Sequence, residues 1–279
     1  MSEMQDNREQ VARALTIAGS DSGAGAGIQA DLKTFAALGV YGTSAITALT
    51  AQNTLGVQST LNIALPMITA QIDAVMEDIG ADAAKTGMLA SSEIIETVAD
   101  SVQRWQLRLV VDPVMVAKGG AHLLQSDAVQ TLITRLLPLA ELVTPNLPEA
   151  EVLTGRGPLQ SLADMREAAR AIHALGPRYV VVKGGHREQD PIDIFYDGQE
   201  FVELRATRVD TQHTHGTGCT FSAAITAFLA RGWSVDEAAV RAKRYITGAI
   251  QHAIGSQIGH GHGPVEHFWL WEQSSMQAE

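Results

Sequence analysis

Short apolar runs rich in β-branched residues recur along the chain, and stretches with helical spacing of apolar residues separate them. This rhythm is typical of βα units around a mostly parallel sheet. Six runs fit buried strands and begin at Ala14, Thr43, Ala83, Leu107, Glu141 and Arg178. Apolar residues at helical spacing between Ile28 and Leu38, closed by Gly39, predict a first helix from about Gly27 to Leu38.

One segment departs from this rhythm. IDIFYDGQEFVELRAT alternates apolar and polar residues on both sides of Asp197-Gly198, which predicts an antiparallel hairpin at one edge of the sheet. Two later stretches, Cys219–Arg231 and Val235–Ile254, have the pattern of helices. No run of Pro, Ser or like charges resembles a linker. The sequence therefore predicts a polar extension over residues 1–13 and one α/β domain over residues 14–279.

Composition narrows the class of partner and the compartment. The 279 residues include 20 Lys plus Arg against 31 Asp plus Glu, a formal charge of −11, which argues against nucleic acid or an anionic membrane as the main partner. The one cysteine, Cys219, rules out an intramolecular disulfide. The polar start MSEMQDNREQ lacks the apolar core of a signal peptide, and no apolar run is long enough to span a bilayer. We expect a cytoplasmic protein.

Polar residues follow most of the predicted strands, and ligands bind beyond the carboxyl ends of strands in open parallel sheets. Any one of these residues also suits a turn or a helix cap, but a set at one sheet edge predicts a binding site. The residues are Gly19, Ser20, Asp21, Lys85, Thr86, Gly87, Asp112, Thr144, Asn146, Glu149, Lys183, Gly184, Gly185 and His186.

Two Gly-rich segments are candidate phosphate-binding loops. GSDSGAGAGIQAD follows a strand and opens a helix, but it lacks the Gly-Lys-Ser/Thr ending of a Walker loop and its glycines do not fit GxGxxG. HTHGTGCTFSAA places Gly216, Thr217, Gly218 and Cys219 at a helix start, where unpaired N–H groups and the helix dipole attract an anion. We expect a transferring phosphoryl group there.

Cys219 allows two interpretations. A thiol at a helix N-terminus tends to have a lowered pKa and can act as a base or nucleophile, whereas many lone cysteines are small buried hydrophobes. His213 and His215 alternate in an extended stretch, so they are expected to point to opposite sides and not to form a dyad with Cys219 together. His260 and His262 lie in a GHGHG run whose spacing is only a weak metal signal.

The carboxylates at the predicted edge suit a hard cation. Asp112 at a strand end and Glu149 on the turn after Asn146 are candidates to hold Mg²⁺ directly or through water, beside a phosphate chain. Lys183 is then placed to neutralise phosphate charge. Phosphoryl transfer depends mainly on positioning and charge stabilisation, so it requires at least an anion hole, a lysine and a metal-binding carboxylate.

With these residues identified, the chain resembles the hydroxymethylpyrimidine/phosphomethylpyrimidine kinases of thiamine biosynthesis, within the ribokinase-like superfamily. The resemblance runs from about Ala14 to His267. It rests on the ordered motifs ALTIAGSDSGAGAGIQADLKTFAALGVYG, TALTAQNTLGV, KTGML, VVDPVMVAKGG, LVTPNLPEAEVLTG, VVVKGGH, THGTGCTFSAA and GHGPVEHF. It implies a three-layer α/β/α fold, transfer of the ATP γ-phosphate to 4-amino-5-hydroxymethyl-2-methylpyrimidine, a second phosphorylation to the diphosphate, and a homodimer.

The resemblance also implies roles for individual residues. The pyrimidine pocket maps onto Gly19, Asp31, Gln52, Met88 and Val114. The anion hole and catalytic cysteine map onto Gly216, Thr217, Gly218 and Cys219. The positions near ATP phosphates and Mg²⁺ map onto Asp112, Asn146, Glu149 and Lys183, with His215 beside the phosphates and the closing loop at Gly261, Gly263 and Pro264.

Some alternatives stay open. Pyridoxal or pyridoxine is the rival substrate, because its ring is of similar size and also carries a hydroxymethyl group. The Cys219 loop, Lys183 and Asp112 argue against a non-catalytic pyrimidine sensor, because a protein that only binds its ligand needs no groups that stabilise a transition state. A thiol-dependent acyl transferase lacks an obvious residue to orient a histidine. One departure from the resembled motifs, Ala24 where Gly is more usual, is expected to alter loop freedom.

Overall fold

The computed structural model describes residues 11–115, 127–185 and 191–271. Most of the expected N-terminal extension, residues 116–120 of the VVDPVMVAKGG motif, and His186 lie outside these ranges. None of the helices in the described ranges has the length and apolarity required to cross a membrane.

Strands and helices alternate along most of the chain. The strands are β1 (Arg13–Asp21), β2 (Tyr41–Asn53), β3 (Gly56–Asn62), β4 (Ala83–Thr86), β5 (Leu109–Val111), β6 (Ala140–Val143), β7 (Tyr179–Val182), β8 (Ile192–Tyr196) and β9 (Phe201–Arg205). The helices are α1 (Gly27–Ala37), α2 (Leu65–Asp78), α3 (Ser92–Trp105), α4 (Ala128–Thr131), α5 (Leu147–Thr154), α6 (Leu162–His173), α7 (Thr217–Ala230) and α8 (Val235–His252). After α4 the chain continues as a π turn over Leu132–Leu136 and a 3₁₀ turn over Leu137–Leu139.

The strands form a nine-stranded sheet in the order β3-β2-β1-β4-β5-β6-β7-β8-β9. The six strands from β2 to β7 in this order are mutually parallel, while β3 pairs antiparallel with β2, and β8 and β9 extend the other edge antiparallel. The parallel strands therefore end at one edge, and the residues that follow them are brought together there.

Two apolar cores, one on each face of the sheet, make this a three-layer α/β/α architecture. On β7, Val180 and Val182 join one core and Val181 the other, as expected for side chains that alternate across a strand. The first core is completed by residues of α2 to α6 and the second by residues of α1, α7 and α8. The predicted α/β class with a mostly parallel sheet is confirmed.

The hairpin predicted around Asp197-Gly198 is confirmed: β8 and β9 pair with Tyr196 opposite Phe201. The turn is closed by Asp197, whose carboxylate accepts hydrogen bonds from the N–H groups of Gln199 and Glu200. The antiparallel strand β3 at the opposite edge was not predicted. Its residues are mostly exposed on both sides, so no alternation of apolar and polar residues marks it.

The loop between β1 and α1 contains a strained alanine, which leads to a first prediction. Ala24 has φ +59°, a left-handed conformation that costs an L-residue about 1 kcal/mol or more. We expect Ala24→Gly to raise the free energy of unfolding by about 0.5–1 kcal/mol, because relief of this strain outweighs the added freedom of the unfolded chain. Urea denaturation checks this.

A matched control lies two residues along. Ala26 has an extended backbone at φ −137° and ψ −165°, so Ala26→Gly relieves no strain and is expected to lower the free energy of unfolding by about 0.5–1 kcal/mol. A loss of stability in Ala24→Gly equal to that in Ala26→Gly would show that the conformation of Ala24 carries no strain.

Candidate active site

A cavity of about 790 Å³ opens at the carboxyl ends of the parallel strands. It brings together thirteen of the seventeen residues to which the resemblance assigned a role. These are Gly19, Gln52, Met88, Asp112, Val114, Asn146, Glu149, Lys183, His215, Gly216, Thr217, Gly218 and Cys219. The other four, Asp31, Gly261, Gly263 and Pro264, do not line it. One cavity thus holds both the pyrimidine-pocket positions and the phosphate-handling positions.

The N-terminus of α7 opens into this cavity. Gly216 precedes the helix with φ +78°, and among the described residues no side chain caps the helix. The N–H of Thr217 donates to the carbonyl oxygen of Thr214 at 3.3 Å, so the N–H groups of Gly218 and Cys219, for which no partner is identified in the described ranges, are the ones available to an anion. A β-carbon on Gly216 would lie 1.8 Å from the carbonyl oxygen of Gly25 in the β1–α1 loop. The anion hole is therefore packed directly against the loop that follows β1, and only glycine fits the contact.

Lys183 and Asp112 form an ion pair beside this helix end. Lys183 follows β7 and Asp112 follows β5, and Lys183 Nζ lies 2.9 Å from Asp112 Oδ1. Burial lowers the pKa of Lys183, but the nearby carboxylates of Asp112 and Glu149 raise it, and the net direction is upward. A β-carbon on Gly218 would lie 3.3 Å from Lys183 Nζ, so the ammonium sits against the first turn of α7. This places a permanent positive charge where the helix N–H groups attract phosphate.

Glu149 serves a helix cap and faces the cavity at the same time. Its Oε2 accepts the N–H of Asn146 at 2.8 Å, while Asn146 Oδ1 accepts the N–H of Glu149 at 2.9 Å, a reciprocal capping box for α5. Burial, reinforced by the charge of Asp112, raises the pKa of Glu149 to about 7, and Lys183 opposes this rise. The carboxyl is therefore close to half-ionised at neutral pH and would ionise fully beside a cation.

These carboxylates fit a magnesium ion that also binds phosphate. Mg²⁺ commonly uses one or two protein carboxylates and completes its octahedron with waters and phosphate oxygens. Asp112 and Glu149 both line the cavity, and the charge of Asp112 raises the pKa of Glu149, as expected of two acids at one site. The fit is to a shared metal–phosphate site and not to an all-protein cage.

The sequence left two interpretations of Cys219 open, a thiol of lowered pKa and a buried thiol. Burial raises the pKa of Cys219 to about 11, aided by the carboxylates of Asp31 and Asp112. Lys85 and the N–H of Gly27 act in the opposite direction and are outweighed. The thiol is therefore mostly neutral at pH 7, because the desolvation of its charged form outweighs the stabilisation by the helix end.

His215 lies on the pyrimidine side of the cavity. Its Nε2 is 2.9 Å from Asp21 Oδ2 and 3.3 Å from Gln52 Nε2, so it joins the β1–α1 loop to the pyrimidine-pocket glutamine. Asp21 also accepts the N–H groups of Gly23, Gly25 and Ala26, which fixes that loop. His213 points elsewhere: its Nδ1 would lie 2.3 Å from a β-carbon on Gly263.

Asp31 does not reach the cavity, and the expectation that it reads the pyrimidine edge is not supported by its position. Its side chain is 0% exposed, with Oδ1 accepting Lys85 Nζ at 2.9 Å and Oδ2 accepting Thr16 Oγ1 at 2.6 Å. Gly261 also lies away from the cavity, where its N–H donates to Thr54 Oγ1 at 3.2 Å. Each oxygen of Asp31 accepts a hydrogen bond inside the protein, one from Lys85 and one from Thr16.

Five charged residues of the cavity wall were not assigned a role from the sequence: Asp21, Lys85, Asp193, Arg208 and Lys243. Lys85 was noted only as a strand-end residue, although a lysine within the apolar run AAKTGM is itself an unusual feature. Asp193 and Lys243 also line the cavity and form a buried pair at 2.7 Å, with Asp193 Oδ1 accepting the N–H of Gly184 beside Lys183. No local pattern marks that pair, because it joins a hairpin strand to the last helix.

Comparison with known proteins gives a consistent result. The family model described as phosphomethylpyrimidine kinase matches residues 21–266. A hydroxymethylpyrimidine/phosphomethylpyrimidine kinase of Rhizobium meliloti is 53% identical over 259 residues, covering 92% of this chain and 97% of that protein. The thiamine biosynthesis bifunctional protein ThiED of Geobacter sulfurreducens is 53% identical over 255 residues, which are 91% of this chain and 51% of that protein.

A solved structure shows the same fold. The ADP complex of Bacillus subtilis pyridoxal kinase has 45% sequence identity and a TM-score of 0.88, covering 94% of this chain and 99% of that one. The ribokinase-like fold that the sequence resemblance implied is confirmed. With a family model spanning the cavity residues and a relative at 53% identity along nearly its whole length, the chain belongs to the phosphomethylpyrimidine kinase family.

Proposed function

We propose that the protein transfers the γ-phosphoryl group of ATP to the hydroxymethyl oxygen of 4-amino-5-hydroxymethyl-2-methylpyrimidine, and then phosphorylates the monophosphate to the diphosphate. One observation carries the proposal: a single cavity joins a small ring pocket to the open N-terminus of α7 and the Lys183–Asp112 pair. The activity that the related proteins carry in their names accords with this geometry.

The acceptor end suits a small planar ring. Met88 is 8% exposed and packs over Gly19, where a β-carbon would lie 2.5 Å from Met88 Cε. Val114 adds apolar surface, and Gln52 supplies an amide held in place by Thr50 Oγ1 at 3.2 Å and by His215. An amide is able to donate to a ring nitrogen and accept from the exocyclic amine, so Gln52 is the residue proposed to orient the pyrimidine.

Phosphoryl transfer forms a bond between the acceptor hydroxymethyl oxygen and the γ-phosphorus, and breaks the bond from that phosphorus to the β–γ bridging oxygen. The bonding electrons leave with ADP, and in this proposal the hydroxyl proton passes to the thiolate form of Cys219, which becomes the neutral thiol. The N–H groups at the start of α7 and the Lys183 ammonium stabilise the charge on the transferring oxygens. Mg²⁺ supplies further charge neutralisation when bound, with Asp112 and Glu149 as its proposed protein ligands.

Pyridoxal is the second candidate acceptor, because the similar Bacillus structure is a pyridoxal kinase. The test is a direct comparison of kcat/KM for hydroxymethylpyrimidine and pyridoxal with saturating ATP and Mg²⁺. A ratio above about 100 in favour of the pyrimidine would correspond to about 2.7 kcal/mol of transition-state discrimination and supports the proposal. A ratio below 1 would contradict it and assign the ring pocket to pyridoxal.

Cys219→Ala provides a prediction for the proton acceptor. We expect kcat to fall about 10²- to 10⁴-fold, the range of a general base, because alanine fills similar space but accepts no proton. Pyrimidine affinity is expected to change less than threefold, as measured by isothermal titration calorimetry. An unchanged kcat would remove Cys219 from the chemical step, and a large loss of affinity would make it a binding residue instead.

The homodimer implied by the sequence resemblance is also a proposal. The β2–β3 edge exposes Leu49, Leu55 and Leu61, at 42%, 70% and 65% exposure, which gives an apolar surface for a second copy. Light scattering after size exclusion tests this: a mass near twice the 29.7 kDa of the chain supports the dimer, and a mass near 29.7 kDa contradicts it.

A further inference from the structure

Lys85 is a charged residue in the middle of the buried sheet. It lies on β4 between strands β1 and β5, and its side chain is 0% exposed, yet it forms part of the cavity wall. The desolvation free energy of a buried lysine and aspartate is usually larger than the free energy gained from their attraction. An apolar pair of similar volume often gives a more stable protein. Stability therefore does not account for a lysine at this position.

The position of the Lys85 ammonium is fixed by its neighbours. Its Nζ donates to Asp31 Oδ1 at 2.9 Å, and the other oxygen of Asp31 accepts Thr16 Oγ1 at 2.6 Å. Thr16 and Lys85 are directly paired on the adjacent parallel strands β1 and β4. The ammonium has three N–H donors, and Asp31 is the one acceptor identified for it among the described residues, so two donors remain available.

Lys85 and the Cys219 thiol lie close together in the cavity wall. The thiol accepts the N–H of Gly27 at the start of α1, and Asp31, which holds the Lys85 ammonium at 2.9 Å, lies one turn further along the same helix. Gly87 leaves room beside the ammonium, because a β-carbon there would lie 3.5 Å from Lys85 Nζ. The positive charge of Lys85 is therefore placed to favour the thiolate of Cys219.

Four charged groups surround the Cys219 thiol, each from a different element. Lys85 on β4 favours its thiolate, whereas Asp31 on α1 and Asp112 after β5 oppose it. The thiol in turn acts on Lys183 after β7. The N–H of Gly27 at the start of α1 also favours the thiolate. Among the groups that favour the thiolate, Lys85 has the largest effect.

We propose that Lys85, held in place by Asp31 and Thr16, is a positioning residue that stabilises the thiolate form of Cys219, the form that takes the proton from the acceptor hydroxyl and becomes the neutral thiol. Lys85 acts through Cys219 and does not contact the substrate. The inference rests on the proposed role of Cys219 as proton acceptor, and it extends that role by naming the cation that favours the thiolate in the cavity wall.

The chain offers a specific reporter, because Cys219 is the only cysteine among its 279 residues. The rate of alkylation of the full chain by iodoacetamide, measured from pH 7 to 10 without substrate, reports the thiolate fraction of Cys219 alone. We expect Lys85→Met to slow alkylation at pH 8.5 about tenfold, equivalent to a rise of one pKa unit. We expect Asp31→Asn to speed alkylation, since it removes a negative charge.

Lys243→Met is the matched control. The Lys243–Asp193 pair is also buried, at 2.7 Å, and also lines the cavity, but Lys243 has no identified effect on Cys219. Its alkylation rate is expected to stay within twofold of the wild-type rate. Opposite signs for Lys85→Met and Asp31→Asn are a result that general loosening of the structure does not produce, because loosening exposes the thiol and speeds alkylation in both variants.

Two outcomes would overturn the inference: faster alkylation in Lys85→Met, or equal rates in Lys85→Met, Asp31→Asn and wild type. If Lys85→Met does not fold, slower or unchanged alkylation in a folded Asp31→Asn overturns it equally. The readout needs no kinase activity, so the two proposals fail separately. A wild-type chain without kinase activity but with the alkylation pattern would refute the proposed function alone, and an active kinase without the pattern would refute the role of Lys85 alone.

Discussion

Gly216→Ala is expected to lower kcat at least about 100-fold and to reduce the free energy of unfolding by about 2–4 kcal/mol. The backbone of Gly216 has φ +78°, which costs an alanine about 1 kcal/mol, and the new β-carbon would lie 1.8 Å from the carbonyl oxygen of Gly25. One backbone segment must therefore move. Any such movement displaces the first turn of α7 from the β1–α1 loop and shifts the N–H groups that are proposed to bind the transferring phosphoryl group.

Gly232, beyond the other end of α7, is the matched control for this prediction. It also has a positive φ, +85°, but a β-carbon there would have no neighbour within 4 Å. Gly232→Ala therefore carries the conformational cost alone, about 1 kcal/mol, and is expected to leave kcat within twofold of wild type. Thermal unfolding and steady-state rates of both variants check the pair. Equal rates in Gly216→Ala and Gly232→Ala would show that the start of α7 takes no part in catalysis.

Lys183→Met is expected to lower kcat about 10²- to 10³-fold, the usual effect of removing one group that stabilises transition-state charge. It is also expected to cost about 3–5 kcal/mol of stability, because Asp112, 2% exposed, loses its partner at 2.9 Å and remains buried. Chemical denaturation and steady-state kinetics measure the two effects separately.

The double variant Asp112→Asn with Lys183→Met separates charge burial from catalysis. It removes both charges of the pair, so we expect it to recover most of the lost stability while kcat stays low. Because Asp112 is also a proposed Mg²⁺ ligand, recovery of kcat together with stability would contradict both the role of Lys183 at the phosphate and the role of Asp112 at the metal.

The parallel part of the sheet was predictable because its strands are buried on both faces. Runs such as YVVV at Tyr179–Val182 contain no charged residue, and β7 places alternate valines in the two cores. The edge hairpin was predictable from Asp197-Gly198. Strand β3 was not, because most of its side chains are exposed, and pairing with β2 through the backbone leaves no mark in the sequence.

The site residues that follow strands were predictable for a topological reason, since parallel strands deliver them to one edge. The environment of each side chain was not. Asp31 lies on α1, and its burial beside Lys85 depends on how that helix packs on the sheet. The pKa of Cys219 depends on the loss of water around the thiol, which sequence position alone does not indicate, so the sequence could not decide between the two interpretations of this residue.

The central claim is that one chain phosphorylates the pyrimidine twice at one cavity. The most direct measurement is incubation of the purified protein with hydroxymethylpyrimidine, ATP and Mg²⁺, with products identified by mass at successive times. We expect the monophosphate to form first and then to be converted to the diphosphate, and we expect Lys183→Met to slow both steps. The absence of any phosphorylated pyrimidine, together with ATP consumption in a parallel incubation with pyridoxal, would contradict the proposed function.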